Sequence, residues 1–536
     1  MPTQYHTLVF GNGECARSLA MGLSGRGLKV AMAVAAPVAD KLEPPAGHGD
    51  TITSWAGTHL IACQGQPGDF QLTVEQDGRR MVQRAGSIVV AEQPQQIPNF
   101  AVYGLSSSGR VLSISQAEAI LLDGKAASTS GGAIHILFLN DWNEHCHPVT
   151  AARMLRLCKT VQQLPNRHTV YMAGHLKVSV EGMEACCQAA KAAGTMFFKF
   201  DRQRPQVQML PDGRVQASCW DDTTRITFTM TFDYVVVDEK ITPNSTLDHL
   251  SRVLRLDRDL HGFVQSDNVQ RLSNATNRRG IFAAGGARAV MSPEEQLSDA
   301  AHAALKVSEF LAGLDKGELP RVEIDTARCA RCLTCYRLCP HGAIEMLPRM
   351  TVMPQACQSC GLCMAGCPNR AIQVHDDQLT SALQQMMTEE APRPMNGPFI
   401  PRLVAFCCRR SALPARDMAV SAGHRLPDGL VVVEGLCGGR FSVTHMLSAL
   451  EAGADGVLVL TCHPGNCHSE CGPTNASRRV DTAAQALALA DIGAERLHFG
   501  TLAANMGAEF ARTVEQFAQR IASLGPVMSE QTMRRS

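Results

Sequence analysis

With 536 residues the chain exceeds what one hydrophobic core organises, so several domains are expected, and a composition 45% hydrophobic but only 5% aromatic suits α/β domains. Lysine plus arginine and aspartate plus glutamate number 50 each, a balance that offers no net field for nucleic acid or an anionic membrane. No apolar run reaches the roughly 18 residues of a membrane span and no basic n-region precedes an apolar stretch at the start, so a cytoplasmic protein is expected, with any membrane association supplied by partner subunits.

The stretch "TLVFGNGECARSLAMGLSGRGLKVAMAV" (7–34) reads as strand, glycine turn, helix and second strand. Gly11, Gly13, Glu14 and Ala16 are the candidate dinucleotide contacts, because such a turn brings backbone up to a pyrophosphate at a helix N-terminus. The acidic residue that usually ends the second strand and holds a ribose is missing, with nothing acidic before Asp40. Further on, "AGSIVVAEQPQQIPNFAVYG" (85–104) looks like the strand and turn that close the flavin half of two-dinucleotide-fold flavoproteins. The stretch "GIFAAGGARAVMSPEEQLSDAAHAA" (280–304) looks like their last strand, with Gly285 and Gly286, followed by a helix whose N-terminus faces the flavin. FAD is therefore the expected cofactor. Two departures point the other way, toward a flavin-free scaffold: Ala91-Glu92-Gln93 stands where Ala-Thr-Gly is common, and Gly286 where Asp is common.

Between these parts an inserted α/β unit is expected over 130–232. Its turn "MAGHLKVS" (172–179) has no GxGxxG, so no phosphate-cradling loop is visible and electrons are expected to enter or leave through proteins rather than NAD(P)H. Cys146 and Cys158 cannot alone complete a four-ligand cluster, and Cys186 and Cys187 read as buried thiols. His145 and His147 read as loop residues.

The cysteines then crowd together. Of 21, eight lie between 329 and 367 and six between 407 and 471; in a long chain without an export signal such clusters read as metal ligands, not disulfides. "CARCLTCYRLCP" (329–340) and "CQSCGLCMAGCP" (357–368) repeat one spacing, three cysteines two residues apart and a fourth before proline. In two-cluster ferredoxins the fourth cysteine of each run ligates the other cluster. One [4Fe-4S] centre is thus expected on Cys329, Cys332, Cys335 and Cys367, and a second on Cys357, Cys360, Cys363 and Cys339. Zinc knuckles, which also use CxxC pairs, are the alternative. Beyond a polar, proline-bearing stretch (384–402), "LVAFCC", "GLVVVEGLCGGR" and "GVLVLTCHPGNCH" each end an apolar strand in cysteine. Strand C-termini share one edge of an open α/β sheet, so Cys407 or Cys408 would converge there with Cys437, Cys462 and Cys467, a set fit for a [2Fe-2S] centre or for zinc. Which of Cys407 and Cys408 is the ligand stays open, as does any role for Cys471.

This order of parts resembles the flavoprotein (A-type) component of heterodisulfide reductase fused to the delta subunit of methyl-viologen-reducing hydrogenase, the arrangement of the flavoprotein B subunits of quinone-interacting membrane-bound oxidoreductases (QmoB-like). The resemblance is specific over 329–367 and in "GADGVLVLTCHPGNCH" (453–468) and looser in the flavin domain. The delta family's Phe-Cys-Cys-x-Trp-Cys becomes Phe406-Cys407-Cys408-Arg409-Arg410-Ser411, and too few cysteines lie around the flavin domain for a third cubane; simple relay is expected rather than flavin-based bifurcation. What the resemblance implies is an α/β oxidoreductase subunit of a redox complex. Its FAD-binding two-dinucleotide-type domain would fill 1–129 and 233–315 around the insert, followed by a two-[4Fe-4S] ferredoxin domain (316–380), a linker (381–400), a delta-like domain (401–525) and a tail (526–536). The competing expectations are a self-contained flavin oxidoreductase acting on a small molecule with ferredoxin as partner, and a subunit whose clusters alone conduct.

Overall fold

The computed structural model describes residues 5–35, 51–122, 132–141, 146–176, 181–200, 203–221, 225–267, 274–315, 322–346, 348–374 and 399–527. Asp40, His145, the turn residues 177–179, the linker up to 398 and the tail from 528 lie outside them.

The first domain grows from two apolar strands, Tyr5–Phe10 and Val30–Val34, buried on both faces as parallel strands must be. Between them the helix Gly13–Ser24 buries Cys15, Ala16, Leu19, Ala20 and Leu23, a 3.6-residue stripe. That stripe shares a core with Ala300, Ala303, Ala304 and Val307 of the helix Pro293–Asp315. The long strand Arg79–Val90 makes two kinds of pairing. Its first part closes an antiparallel meander with Asp69–Gln76 and Thr58–Gln66, and its last part runs parallel to Tyr5–Phe10 and to Ile281–Ala283. The chain leaves and re-enters this domain through an antiparallel pair, Gln95–Pro98 with Glu239–Thr242.

That pair leads to a second parallel sheet, ordered Met196–Lys199, Arg167–Ala173, Ile134–Asn140, Tyr234–Val237 and Val111–Leu112. An antiparallel meander, Gln206–Met209, Val215–Asp221 and Ile226–Phe232, accompanies it. The sheet is wider than the expected unit 130–232: Val111–Leu112, too short to show a period of its own, joins it from before that span, and Tyr234–Val237, expected in the flavin domain, joins it from after. Cys146, Cys158 and Cys187 sit in this unit's apolar core with Cys186 packed against it, and burial pushes the Cys158 thiol up to about 12.

The third domain is a pseudo-symmetric pair of halves. Val322–Ile324 pairs with Ile372–Val374, Ile344–Met346 pairs with Met350–Val352, and each half holds one short helix, Thr334–Leu338 or Leu362–Ala365. The last domain is an open parallel sheet ordered Leu430–Gly435, Leu403–Cys408, Gly456–Thr461, Leu497–Thr501. The helices Val443–Glu451 and Gly472–Leu489 cover one face, and Ala412–Ser421 and Gly507–Leu524 the other. In chain order the strands run second, first, third, fourth, so the connections diverge between Leu403–Cys408 and Gly456–Thr461. That switch point is where open α/β sheets gather ligands. Among the described residues no helix is long and apolar enough to cross a membrane.

Candidate functional site

The two halves of the third domain place equivalent residues in equivalent backbone. Arg331 and Ser359 take φ of 53° and 53°, Leu333 and Gly361 61° and 78°, and Gly342 and Arg370 55° and 50°. Left-handed residues on both sides of Cys332 and Cys360, and three residues after Cys339 and Cys367, curl the chain so that successive thiols face one interior. Two small voids result. Cys329, Cys332, Cys335 and Cys367 line one, with Ile324, Met350 and Ile372. Cys339, Cys357, Cys360 and Cys363 line the other, with Val322, Ile344, Val352 and Leu362. Each group is a triplet joined by the fourth cysteine of the opposite run. Backbone amides already point at the sulfurs: Ser359 N–H to Cys357 at 3.4 Å, Ala343 N–H to Cys339 at 3.3 Å and Ala371 N–H to Cys367 at 3.3 Å. Such donors suit thiolates, and the soft, deprotonatable donor set suits an iron–sulfur cluster. Burial pushes the Cys360 thiol up to about 12, so a cluster binding there must displace a proton. Cys332 differs. It is exposed, and hydrogen bonding with Thr334 holds its thiol below the ordinary value.

At the switch point of the last domain a cavity of about 520 Å³ is lined by Cys408, Cys437, Cys462 and Cys467. Cys408 ends the first strand, Cys462 follows the third, Cys437 follows the second, and Cys467 sits on the loop before the helix Gly472–Leu489. Successive strand residues face opposite sides, and Cys407 accordingly packs into the apolar layer with Ala405, Leu458 and Leu460. Burial pushes its thiol up to about 12. The four cavity thiols touch one another. Hydrogen bonding from Cys462 holds Cys408 down and bonding from Cys437 and Cys462 holds Cys467 down; the same bonds push Cys437 and Cys462 up. A Cβ on Gly472 would stand 2.8 Å from the sulfurs of both Cys437 and Cys467, so the helix start is part of the thiol nest. Cys471, at the N-cap of that helix, is not among the cavity's lining. Among the described residues no set of three or more His, Cys, Asp or Glu side chains is arranged to hold a single metal ion; the thiols stand around voids instead.

Two neighbouring residues, Gln358 and Cys360, join the two regions. Cys360 lines both the second ferredoxin void and the tail cavity. Around it the His341 and His468 rings lie 5.5 Å apart, His341 Nε2 is 3.3 Å from Ser469 Oγ, and Arg479 donates to the Gly439 carbonyl. A Cβ on Gly439 would come within 2.5 Å of Leu362 Cδ2, so the two domains meet closely there. The first domain closes the junction. Arg279 and Gln358 line the cavity, Gln358 donates to the Asn277 carbonyl at 3.1 Å, and His468 Nδ1 bonds the Asp267 carbonyl. Neither the second role of Cys360 nor the presence of Arg279 has a local sequence signal, since each depends on segments far apart in the chain.

The glycine turn of the first domain is built for close approach, partly by its own protein. Gly11 has φ of 146°, and a Cβ there would stand 2.2 Å from the Ala91 carbonyl oxygen. Cβ atoms on Gly285 and Gly286 would strike Cys15 and Pro94. Glu14 faces solvent, leaving its backbone amide to the turn, while Ala16 is buried against the sheet. Asn12 Oδ1 is buried without a partner at the head of the helix, as a ligand-binding turn would leave it. Above Gly13, however, lies the Gln93 carboxamide, with Nε2 1.9 Å from where a Cβ would be. Its neighbour Glu92 is buried, which pushes its carboxyl up, and Asn244 donates to the Gln93 carbonyl at 2.8 Å. The unpartnered Asn12 Oδ1 suits a pyrophosphate-binding turn, while the Gln93 carboxamide fills the space over Gly13.

Comparison with known proteins follows the same divisions. Residues 403–525 match the family model of the methyl-viologen-reducing hydrogenase delta subunit, and residues 322–345 match a 4Fe-4S binding domain. The chain is 31% identical over 302 residues to the A-type component of the ferredoxin/F420H2-dependent CoB-CoM heterodisulfide reductase of Methanosarcina acetivorans, a match covering 56% of this chain and 37% of that protein. It therefore spans little more than a third of the length of that relative. It is 34% identical over 130 residues to the D-type iron-sulfur component of the F420-non-reducing hydrogenase of Archaeoglobus profundus, covering 24% of this chain and 95% of the other. Among solved structures, the thioredoxin reductase of T. acidophilum aligns with a TM-score of 0.41 at 14% identity over 58% of this chain and 99% of that one, a likeness too low to bear on function.

Proposed function

The chain belongs, through its C-terminal domain, to the family of methyl-viologen-reducing hydrogenase delta subunits, and on that premise we propose that it relays electrons within a heterodisulfide-reductase-like complex. The centres would be FAD at Gly11, Gly13, the Glu14 amide, Ala16, Gly285 and Gly286, two [4Fe-4S] clusters in the ferredoxin voids, and a [2Fe-2S] cluster on Cys408, Cys437, Cys462 and Cys467. Flavin exchanges electrons singly or in pairs, and iron–sulfur centres carry them singly. The protein's part is placement. Ile324, Met350 and Ile372 on one side, and Val322, Ile344 and Leu362 on the other, exclude water from the ferredoxin voids. The amides of Ser359, Ala343 and Ala371 stabilise charge on the sulfurs.

The observation that carries this reading is Cys360, which lines both the second ferredoxin void and the tail cavity. A ligand shared by two walls makes the sites a continuous series, from an exposed end at Cys332 to the tail. Anaerobic electron paramagnetic resonance of the full chain tests this. Cys360→Ser should alter the signals of both the second cubane and the tail centre, whereas Cys332→Ser should alter the first cubane and leave the tail signal as it was. An unchanged tail signal in Cys360→Ser would break the series.

A second reading is favoured by the Gln93 carboxamide over Gly13: the clusters conduct and the flavin fold serves as scaffold. Flavin released by acid from anaerobically purified protein separates the two, stoichiometric in the first and absent in the second.

A further inference from the structure

The two halves of the ferredoxin domain match in backbone but not in charge. Arg328, Arg331, Arg337 and Arg370 belong to the half around the first void, and all are exposed. At the equivalent positions of the other half stand Ala356, Ser359, Ala365 and Gly342. The arginines share one surface. Arg331 lines the first void beside Cys332, Arg337 donates to the Cys332 carbonyl at 2.9 Å, and the Arg328 carbonyl accepts from Asn369, the neighbour of Arg370, at 3.2 Å. Tyr336 stands 55% exposed among them. The acids of this half are Glu323 and Asp325, and Asp325 Oδ1 is engaged by the Ala327 amide at 2.9 Å.

The contrast follows what each half faces. The half around the second void instead packs its Gly361 and Leu362 against Arg440 and Gly439 of the tail domain, with its Ala356 and Ser359 buried. The arginine-rich half meets solvent with a cysteine, Cys332, at its surface. An exposed ligand puts the first centre within reach of an outside donor or acceptor, and a ring of like charge selects and steers a partner of opposite sign.

We propose that this face is the docking surface for an acidic one-electron carrier protein of the ferredoxin or flavodoxin kind. It rests on the relay reading above. In the step, the reduced carrier loses one electron and the first centre gains it, with no bond made or broken and no proton required. Four arginines on one face suit a carboxylate-rich surface, and Tyr336 supplies the amphipathic contact common at interface centres.

The test uses the full chain, purified anaerobically with its clusters, and a reduced acidic plant-type [2Fe-2S] ferredoxin as probe. The variant Arg328→Ala, Arg331→Ser, Arg337→Ala, Arg370→Gly gives one half the residues that the other already carries in the same backbone conformation, so the fold is expected to persist. At low salt its second-order rate of reduction by the ferredoxin should fall at least about tenfold. The wild-type rate should fall steeply as salt rises, and dithionite should reduce both proteins equally. Lysine at the same four positions should keep most of the rate, which separates charge from packing. Equal ferredoxin rates in wild type and variant would overturn the proposal. So would loss of binding to phosphatidylserine vesicles with the ferredoxin rate unchanged, since the face would then be a membrane contact. If the wild type holds no cubane iron at the first site, the relay reading itself falls; cubane iron with a salt-independent rate defeats the docking surface alone.

Discussion

At the scale of single residues, the adjacent pair Cys407 and Cys408 illustrates how far a motif reaches. The sequence places two thiols at a strand end and cannot choose between them. Alternation along the strand does, sending Cys407 into an apolar layer and Cys408 into the cavity. Cys408→Ala should therefore abolish the tail centre and leave the cubane spectra unchanged. Cys407→Ala should keep all centres and cost on the order of 1 kcal/mol for a small buried group; tail iron lost from Cys407→Ala would reverse the assignment. Gln93 is a second case. The sequence marks it as the wrong residue for a flavin turn, but only the structure puts its carboxamide over Gly13. Gln93→Gly should raise the flavin retained through gel filtration, as read by absorbance after acid release. Retention that stays the same or drops would mean that the carboxamide does not obstruct the turn.

At the scale of elements, the ferredoxin domain was largely legible because metal ligation constrains both residue type and spacing. Eight soft donors in a doubled run admit few arrangements, and the structure gathers Cys367 with the first triplet and Cys339 with the second, the crossed grouping expected from the spacing. The switch point of the tail sheet was legible as apolar strands ending in cysteine. Its outer wall was not. Gly472 belongs to no motif in the sequence, yet its missing side chain leaves room for Cys437 and Cys467. Gly472→Ala should fold at a cost of about 1–3 kcal/mol, as overpacking usually does, while losing the tail centre and sparing both cubanes. A fully loaded tail centre in that variant would show that the two thiols have room to turn. The inserted unit was the least legible element, because Val111–Leu112 and Tyr234–Val237 join its sheet from outside the expected limits through pairing alone.

At the scale of the whole molecule, the proposed relay would depend on three domains meeting at one place. Arg279 and the Asp267 carbonyl come from the first, Cys360 and His341 from the ferredoxin domain, and Cys437, Cys467 and His468 from the last. Sequence periodicity carries no information about such long-range meetings, which explains why the parts were readable and their order of contact was not. The measurement that bears most directly on the relay is the metal content of the full chain purified without oxygen, determined together with acid-labile sulfide. Two cubanes and one [2Fe-2S] centre predict about ten iron atoms per chain, with no zinc and with the four cavity thiols shielded from alkylation. About eight iron atoms, with stoichiometric zinc in the tail or with Cys408, Cys437, Cys462 and Cys467 open to alkylation, would contradict it.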